Sequence, residues 1–182
     1  RGRDFTLDAQ KGILLHEREK ATNWRITFVD TGPETETGGR LKAIEPYVDT
    51  SFFVSYADGV SDISPVALLD AHHAAKCTAT MACVYPSTHY GLVDVLDGMV
   101  IAYREKPTLP VQVNGGFFCF NHEVFDYLDD GPLEGAPMQR LIAAKQLAAY
   151  VHDGFWACMD TPKDCQRLND LWAQNAAPWR IR

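Results

Sequence analysis

The sequence has no apolar run of the length a membrane span requires. It also lacks positive charge: 17 Lys+Arg face 24 Asp+Glu, a formal net charge of −7. That deficit argues against non-specific binding to nucleic acid or to anionic membranes, both of which need a basic footprint. A phosphate-bearing small substrate stays open, because a few well-placed Lys and Arg suffice locally. Cysteine pairing is missing too. The five cysteines, Cys77, Cys83, Cys119, Cys158 and Cys165, are odd in number and none is spaced C-x-x-C. A disulfide framework or zinc site is disfavoured, and reduced, mostly buried thiols of a cytoplasmic protein are expected. There is no Walker A loop, no dinucleotide fingerprint and no nucleophile elbow. Internal repeats and low-complexity linkers are absent. The opening RGRDFTLD is polar and does not read as a signal peptide, and the first residue is Arg1 rather than Met.

What is present is an average soluble composition: 182 residues, 46% hydrophobic and 23% charged. That length fits one domain over residues 1–182 with a single core. Phe5 and Leu7, then Lys11-Gly12, then Ile13 and Leu15 predict a short hairpin. Trp24 to Asp30 reads as a strand running into a Thr31-Gly32-Pro33 turn. A polar, glycine-bearing loop follows at Thr35–Leu41, leading into a helix from Arg40 to Tyr47. Ser51 to Tyr56 reads as a buried strand. Ser64-Pro65 opens a helix with Ser at the cap and Pro in the first turn.

Thr78 to Tyr85 predicts another strand. Leu92–Val95 and Met99–Ala102 flank Asp97-Gly98, the signature of a two-residue hairpin turn. Val111 to Phe120 is a strand interrupted at Asn114-Gly115-Gly116. Short helices are expected at Glu123–Leu128 and Pro137–Lys145, a strand at Leu147–Val151 and a final helix at Thr161–Ala173. The alternation predicts an α/β domain with a mixed, mostly parallel sheet and small hairpin excursions. Ligands bind such sheets beyond the carboxyl ends of the strands, the edge expected for Asp58 and Asp160.

Four segments offer chemistry. In Tyr56-Ala57-Asp58-Gly59-Val60 an acid ends a strand and glycine follows, which suits a magnesium ion with substrate phosphate close by. The alternative is a helix-capping Asp. Asp160, before Thr161-Pro162, is a second metal carboxylate or a cap for the last helix. Arg104-Glu105-Lys106-Pro107 puts a point charge suited to phosphate beside an acceptor for sugar hydroxyls. Asn114 offers donor and acceptor to a polyol, and the glycines after it signal close backbone approach or a bulge. Taken alone, these last two segments also read as a solvated hairpin end. Thr35 to Arg40, with Gly38-Gly39, offers an Arg fork to a base edge or phosphate. His72-His73 has no ligand-spaced partner and reads as surface or satisfied core.

Together these segments resemble the sugar-nucleotide pyrophosphorylases, a nucleotidyltransferase family, and within it the cytidylyl branch. The matching stretches are Val29–Gly32, Thr37–Lys42, Tyr56–Val60, Glu105–Pro107, Asn114–Phe118, Gly154–Trp156, Met159–Thr161 and Leu171–Trp179, in order along nearly the whole chain. The resemblance implies a Rossmann-like nucleotidyltransferase domain that converts CTP and α-D-glucose 1-phosphate into CDP-glucose and pyrophosphate with Mg²⁺. It implies Asp58 and Asp160 as metal ligands. Thr35, Arg40 and the Ala57 backbone would meet the nucleotide, Lys106 the sugar phosphate, and Glu105, Asn114 and Gly91 the glucose. It also implies a homo-oligomer and a place in sugar-nucleotide supply for lipopolysaccharide O-antigen.

Departures from the family pattern accompany the match. The family opens with a strand and a glycine-rich loop bearing Arg, then Lys; here Arg1 to Leu15 already aligns with its middle, so the domain is expected to be N-terminally incomplete and the 182 residues alone inactive. Ala57 stands for a usual Gly, Gln112 for a Trp, and Thr88–Gly91 and Pro162-Lys163 differ from the family's stretches. Three readings follow: the carboxyl-terminal part of a cytidylyltransferase, a truncated non-catalytic relative that binds sugar phosphate or a partner, or a pyrophosphorylase for another nucleotide-sugar. The presence of Asp58, Asp160, Lys106 and Asn114 together favours the first.

Overall fold

The structure, a computed structural model, describes residues 5–8, 12–15 and 25–180. The chain divides into two units, Arg1–Asp30 and Thr31–Arg182. In the first, β1 (Phe5–Asp8) and β2 (Gly12–Leu15) pair antiparallel, with Phe5 opposite Leu15 and Asp8 opposite Gly12, which is the expected hairpin. Lys11 lies outside the described residues. The strand expected over Trp24–Asp30 does not form: residues 25–30 carry no ladder, and Trp24 is outside the described residues. A β-favouring run becomes a strand only when a ladder partner takes up its N–H and C=O groups. Ile26 and Phe28 are exposed accordingly.

The second unit begins with α1 (Thr37–Ala43), followed by a 3₁₀ turn at Glu45–Tyr47. The helix starts three residues earlier than the sequence suggests. The expected glycine loop is therefore half helix. The reason is packing: Gly38 and Gly39 are buried against residues 129–131. A methyl at Gly38 would lie 2.5 Å from the Gly131 carbonyl oxygen, the same oxygen that accepts from Gly38 N at 3.0 Å.

β3 (Phe52–Ser55) follows, then β4 (Gly59–Ser61) and α2 (Pro65–Ala75), whose cap is Ser64, Oγ accepting from Ala67 N. Next come β5 (Ala79–Val84), the hairpin β6 (Leu92–Leu96) and β7 (Met99–Arg104), and β8 (Val113–Phe120). The hairpin closes where expected, with Asp97 and Gly98 both at positive φ, 48° and 80°. A 3₁₀ stretch at His122–Tyr127 replaces the helix expected there. α3 (Ala136–Ala143), β9 (Leu147–His152), β10 (Trp156–Cys158) and α4 (Pro162–Ala173) complete the chain.

The central sheet has the order β3-β8-β5-β9. β5 and β9 are parallel, and β8 runs antiparallel to both β5 and β3, so three of the four strands share one direction. The mixed α/β architecture is the expected one. β3 is an outer strand of this sheet, alternately half-buried and exposed, rather than fully buried as its composition suggests. A core of Leu41, Phe118, Phe120, Phe125, Leu133 and Leu141 joins the sheet to the helices of one face. On α2, His72 is 1% exposed. Its Nε2 sits 2.9 Å from Asn121 Oδ1 and its Nδ1 2.9 Å from the Thr80 hydroxyl, a satisfied core histidine. The cysteines are free, but only Cys119 is fully buried and Cys165 is exposed, fewer buried thiols than expected. Among the described residues no helix is long and apolar enough to cross a membrane.

Candidate active site

Asp58 follows β3 and β10 follows β9, so both lie beyond the carboxyl ends of strands that run the same way. β4 and β10 then pair antiparallel as a separate two-stranded ladder, with Trp156 opposite Ser61, Ala157 opposite Val60 and Cys158 opposite Gly59. Met159 N donates to the Asp58 carbonyl at 2.8 Å, extending the ladder by one bond. This closes the distance that sequence alone leaves open: one ligand atom from each of Asp58, Cys158 and Asp160 lies within 4.8 Å of the others.

The donor set is that of a hard cation. Two exposed carboxylates offer oxygen, and such a pair plus phosphates and water is the usual holding of Mg²⁺. Cys158, the third member of the group, is a soft sulfur donor among hard oxygens. Burial, together with its hydrogen bond to Asp160 and the charges of Asp58 and Asp160, pushes the thiol up to about 11. Instead the Sγ–H donates to Asp160 Oδ1 at 3.1 Å and orients that carboxylate. The sequence reading missed this cysteine; its spacing of two from Asp160 in an extended stretch, which puts both side chains on one face, was the available signal.

Asp160 is not the cap of α4. Thr161 is, in a reciprocal capping box: its Oγ1 accepts from Asp164 N, and Asp164 Oδ2 accepts from Thr161 N. The structural alternative for Asp160 is thereby removed.

The Asn114–Gly116 segment is a bulge. The β5–β8 register shifts between Met81 and Cys83, and Gly116 has φ 74°. Asn114 Oδ1 accepts from Gly116 N at 2.9 Å, while the Gly115 carbonyl accepts from Trp156 Nε1 at 2.7 Å. The bulge thus anchors β10, and Gly59 packs beside Phe117 and Gly115.

Glu105 and Lys106 sit at the end of β7. Lys106 adopts φ 44°, a left-handed backbone unusual for a side chain of this size, with Nζ 3.5 Å from Glu105 Oε1. A Tyr103 hydroxyl bond and the Lys106 charge hold the Glu105 carboxyl below its usual range. Lys163 in the first turn of α4 also acts on it, so this end of the hairpin lies toward the start of α4. Gly91 lies under Tyr103, whose ring and hydroxyl leave no room for a methyl there.

Thr35 Oγ1 donates to the Thr31 carbonyl, and the Arg40 fork binds Thr31 Oγ1 at 2.7 Å and the Pro33 carbonyl at 3.1 Å. Both residues knit the 31–35 turn to α1. Arg40 also lines an apolar cleft of about 260 Å³ with Leu41, Val54, Ser55 and Tyr56, whose wall ends one residue before exposed Ala57.

Residues 17–175 match the nucleotidyl transferase family. The glucose-1-phosphate cytidylyltransferases of Salmonella typhimurium and Salmonella typhi are each 36% identical over 182 residues, which is 97% of this chain and 71% of theirs. The crystal structure of HddC from Yersinia pseudotuberculosis superposes with a TM-score of 0.54 at 18% identity, covering 76% of this chain and 63% of that one, a likeness of fold. The chain belongs to the nucleotidyl transferase family.

Proposed function

We propose that the 182 residues form part of one cytidylyltransferase domain that joins CTP to α-D-glucose 1-phosphate, giving CDP-glucose and pyrophosphate. The observation that carries this reading is the convergence of Asp58 and Asp160, from opposite strands of the β4–β10 ladder, on one cation-sized space. The 36% identity to cytidylyltransferases supports the choice of nucleotide and sugar. In the reaction a sugar-phosphate oxygen bonds to the α-phosphorus as the bond from that phosphorus to the pyrophosphate oxygen breaks. Asp58 and Asp160 would hold Mg²⁺, which when bound would supply neutralisation of the charge passing to pyrophosphate. The chain's own work is positioning. Lys106 takes the sugar phosphate, and Glu105, Asn114 and Gly91 line the sugar. Thr35, Arg40 and the Ala57 backbone form the nucleotide side.

A homo-oligomer is part of this reading. Its support is the β6–β7 hairpin, where Val95, Leu96, Met99, Val100, Ile101 and Tyr103 are each 59–70% exposed, an apolar surface suited to a second copy. A cytoplasmic location fits free thiols, and the O-antigen role rests on the product alone.

The test is pyrophosphate release by the chain joined to the family's glycine-rich opening segment, since the 182 residues alone are expected to be inactive, with CTP, UTP, dTTP and GTP, each offered with glucose 1-phosphate and mannose 1-phosphate. CTP with glucose 1-phosphate should exceed every other pair by roughly tenfold or more, and calorimetry should show Mg²⁺-dependent CTP binding. Preference for GTP with mannose 1-phosphate would overturn the assignment of both substrates.

A further inference from the structure

The β4–β10 ladder carries the two carboxylates but is only three pairs long and, among the described residues, belongs to no larger sheet. Two short strands alone are marginal in water. The end that bears Asp58 and Asp160 also brings two like charges together, which favours opening. At the other end the Trp156 indole ties β10 to the Gly115 carbonyl, and β4 needs a tie of its own to keep the register.

His152 and Asp62 occupy that end. Asp62 follows β4 and His152 closes β9, the strand before β10. Nε2 of His152 lies 2.8 Å from Asp62 Oδ1, and the imidazole side chain is only 12% exposed. A carboxylate only accepts, so Nε2 carries the hydrogen. The backbone reinforces the contact: Asp62 N donates to the Phe155 carbonyl at 3.2 Å, and the Ser61 hydroxyl donates to the same oxygen at 2.7 Å. Gly154 makes the pair possible. A methyl at that position would lie 2.6 Å from Asp62 Oδ1 and 2.7 Å from the His152 ring.

We propose that the Asp62–His152 pair, with Gly154 leaving room for it, is a positioning device that locks the β4–β10 register and so sets the separation of Asp58 and Asp160. Neither residue touches the cation; both act through the ladder. The inference rests on the metal reading above, and the experiment separates the two.

Two readouts on the full chain serve. Manganese binding, followed by electron paramagnetic resonance of the free ion, reports the carboxylates. Amide hydrogen exchange reports the ladder at Met159, whose N–H bonds to the Asp58 carbonyl. Asp160→Asn should lose Mn²⁺ binding while keeping Met159 protection. His152→Leu and Asp62→Ala, which break the pair from either side, should each weaken Mn²⁺ binding roughly tenfold and speed exchange at Met159, with central-sheet amides unchanged. Asp62 is the more exposed partner, at 36%, so its variant guards against a folding failure. His152→Gln, which retains an N–H near the Nε2 position, should restore both to within about twofold. Retained Mn²⁺ affinity in His152→Leu and Asp62→Ala, with Asp160→Asn silent, would overturn the positioning role alone. Equal Mn²⁺ binding by the unaltered chain and Asp160→Asn would overturn the metal reading and the proposal with it.

Discussion

Asp160 and Thr161 are neighbours with separate tasks, and single substitutions can tell them apart. Thr161 caps α4 through its hydroxyl and Asp164. Thr161→Ala should therefore cost about 1 kcal/mol of stability, visible as a melting temperature lowered by a few degrees. Asp160→Asn should leave the melting temperature within about a degree, because no cap is lost, while abolishing most Mg²⁺-dependent turnover of the chain joined to the family's glycine-rich opening segment. Asp58→Asn should do the same, and the double variant should be little worse than either, since both serve one ion. Near-normal activity of Asp160→Asn would remove it from the metal site. Lys106 makes the contrast: Lys106→Ala should raise KM for glucose 1-phosphate roughly tenfold and leave that for CTP unchanged, because its charge is assigned to the sugar phosphate alone.

At the scale of elements, α1 shows packing overriding composition. Gly38→Ala would gain roughly 1 kcal/mol of helix propensity. The added methyl meets two backbone oxygens, Gly131 at 2.5 Å and Asp129 at 3.0 Å, which cannot swing away. Overpacking of this kind costs about 1–3 kcal/mol or more and wins, so the variant should melt at lower temperature. The 129–131 loop is itself pinned by charge. Arg140 and the Gly131 amide hold the Asp129 carboxyl below its ordinary value of 3.8. A depressed carboxyl contributes stability above its unfolded value that is lost as pH falls through the folded one. Protection of α1 amides should thus decline below about pH 4, and Asp129→Asn should blunt that acid sensitivity.

The elements legible in the sequence were those with local signals. Asp97-Gly98 demanded positive φ at both positions and received it. Ser64-Pro65 specified its helix start. Trp24–Asp30 had the composition of a strand but, in residues 25–30, no ladder among the described residues, because pairing is not encoded in one strand. The β4–β10 ladder was illegible for the same reason. Three residues on each side, Gly-Val-Ser and Trp-Ala-Cys, show no period, yet their pairing assembles the carboxylates. Asp58 and Asp160 were readable as acids after strands; Cys158 and the Asp62–His152 pair needed the fold.

Across the whole molecule, two surfaces offer themselves to a second copy. The exposed apolar face of the β6–β7 hairpin is larger than the outer edge of β3, which exposes Phe53. Association should run through the hairpin. Ile101→Lys should convert an oligomer to monomer in sedimentation velocity, whereas Phe53→Lys should not. The reverse pattern would assign the contact to the β3 edge.

The placement of the two carboxylates also has a consequence in time. About a hundred residues of chain separate Asp58 from Asp160. Their ladder is therefore among the most non-local contacts in the molecule, and loop closure makes such contacts late. On a ribosome, Asp58 would emerge many seconds before its partner. The cation site would come into being only after the central sheet has formed, too late to help nucleate it. A divalent ion should then slow unfolding and leave the folding rate unchanged.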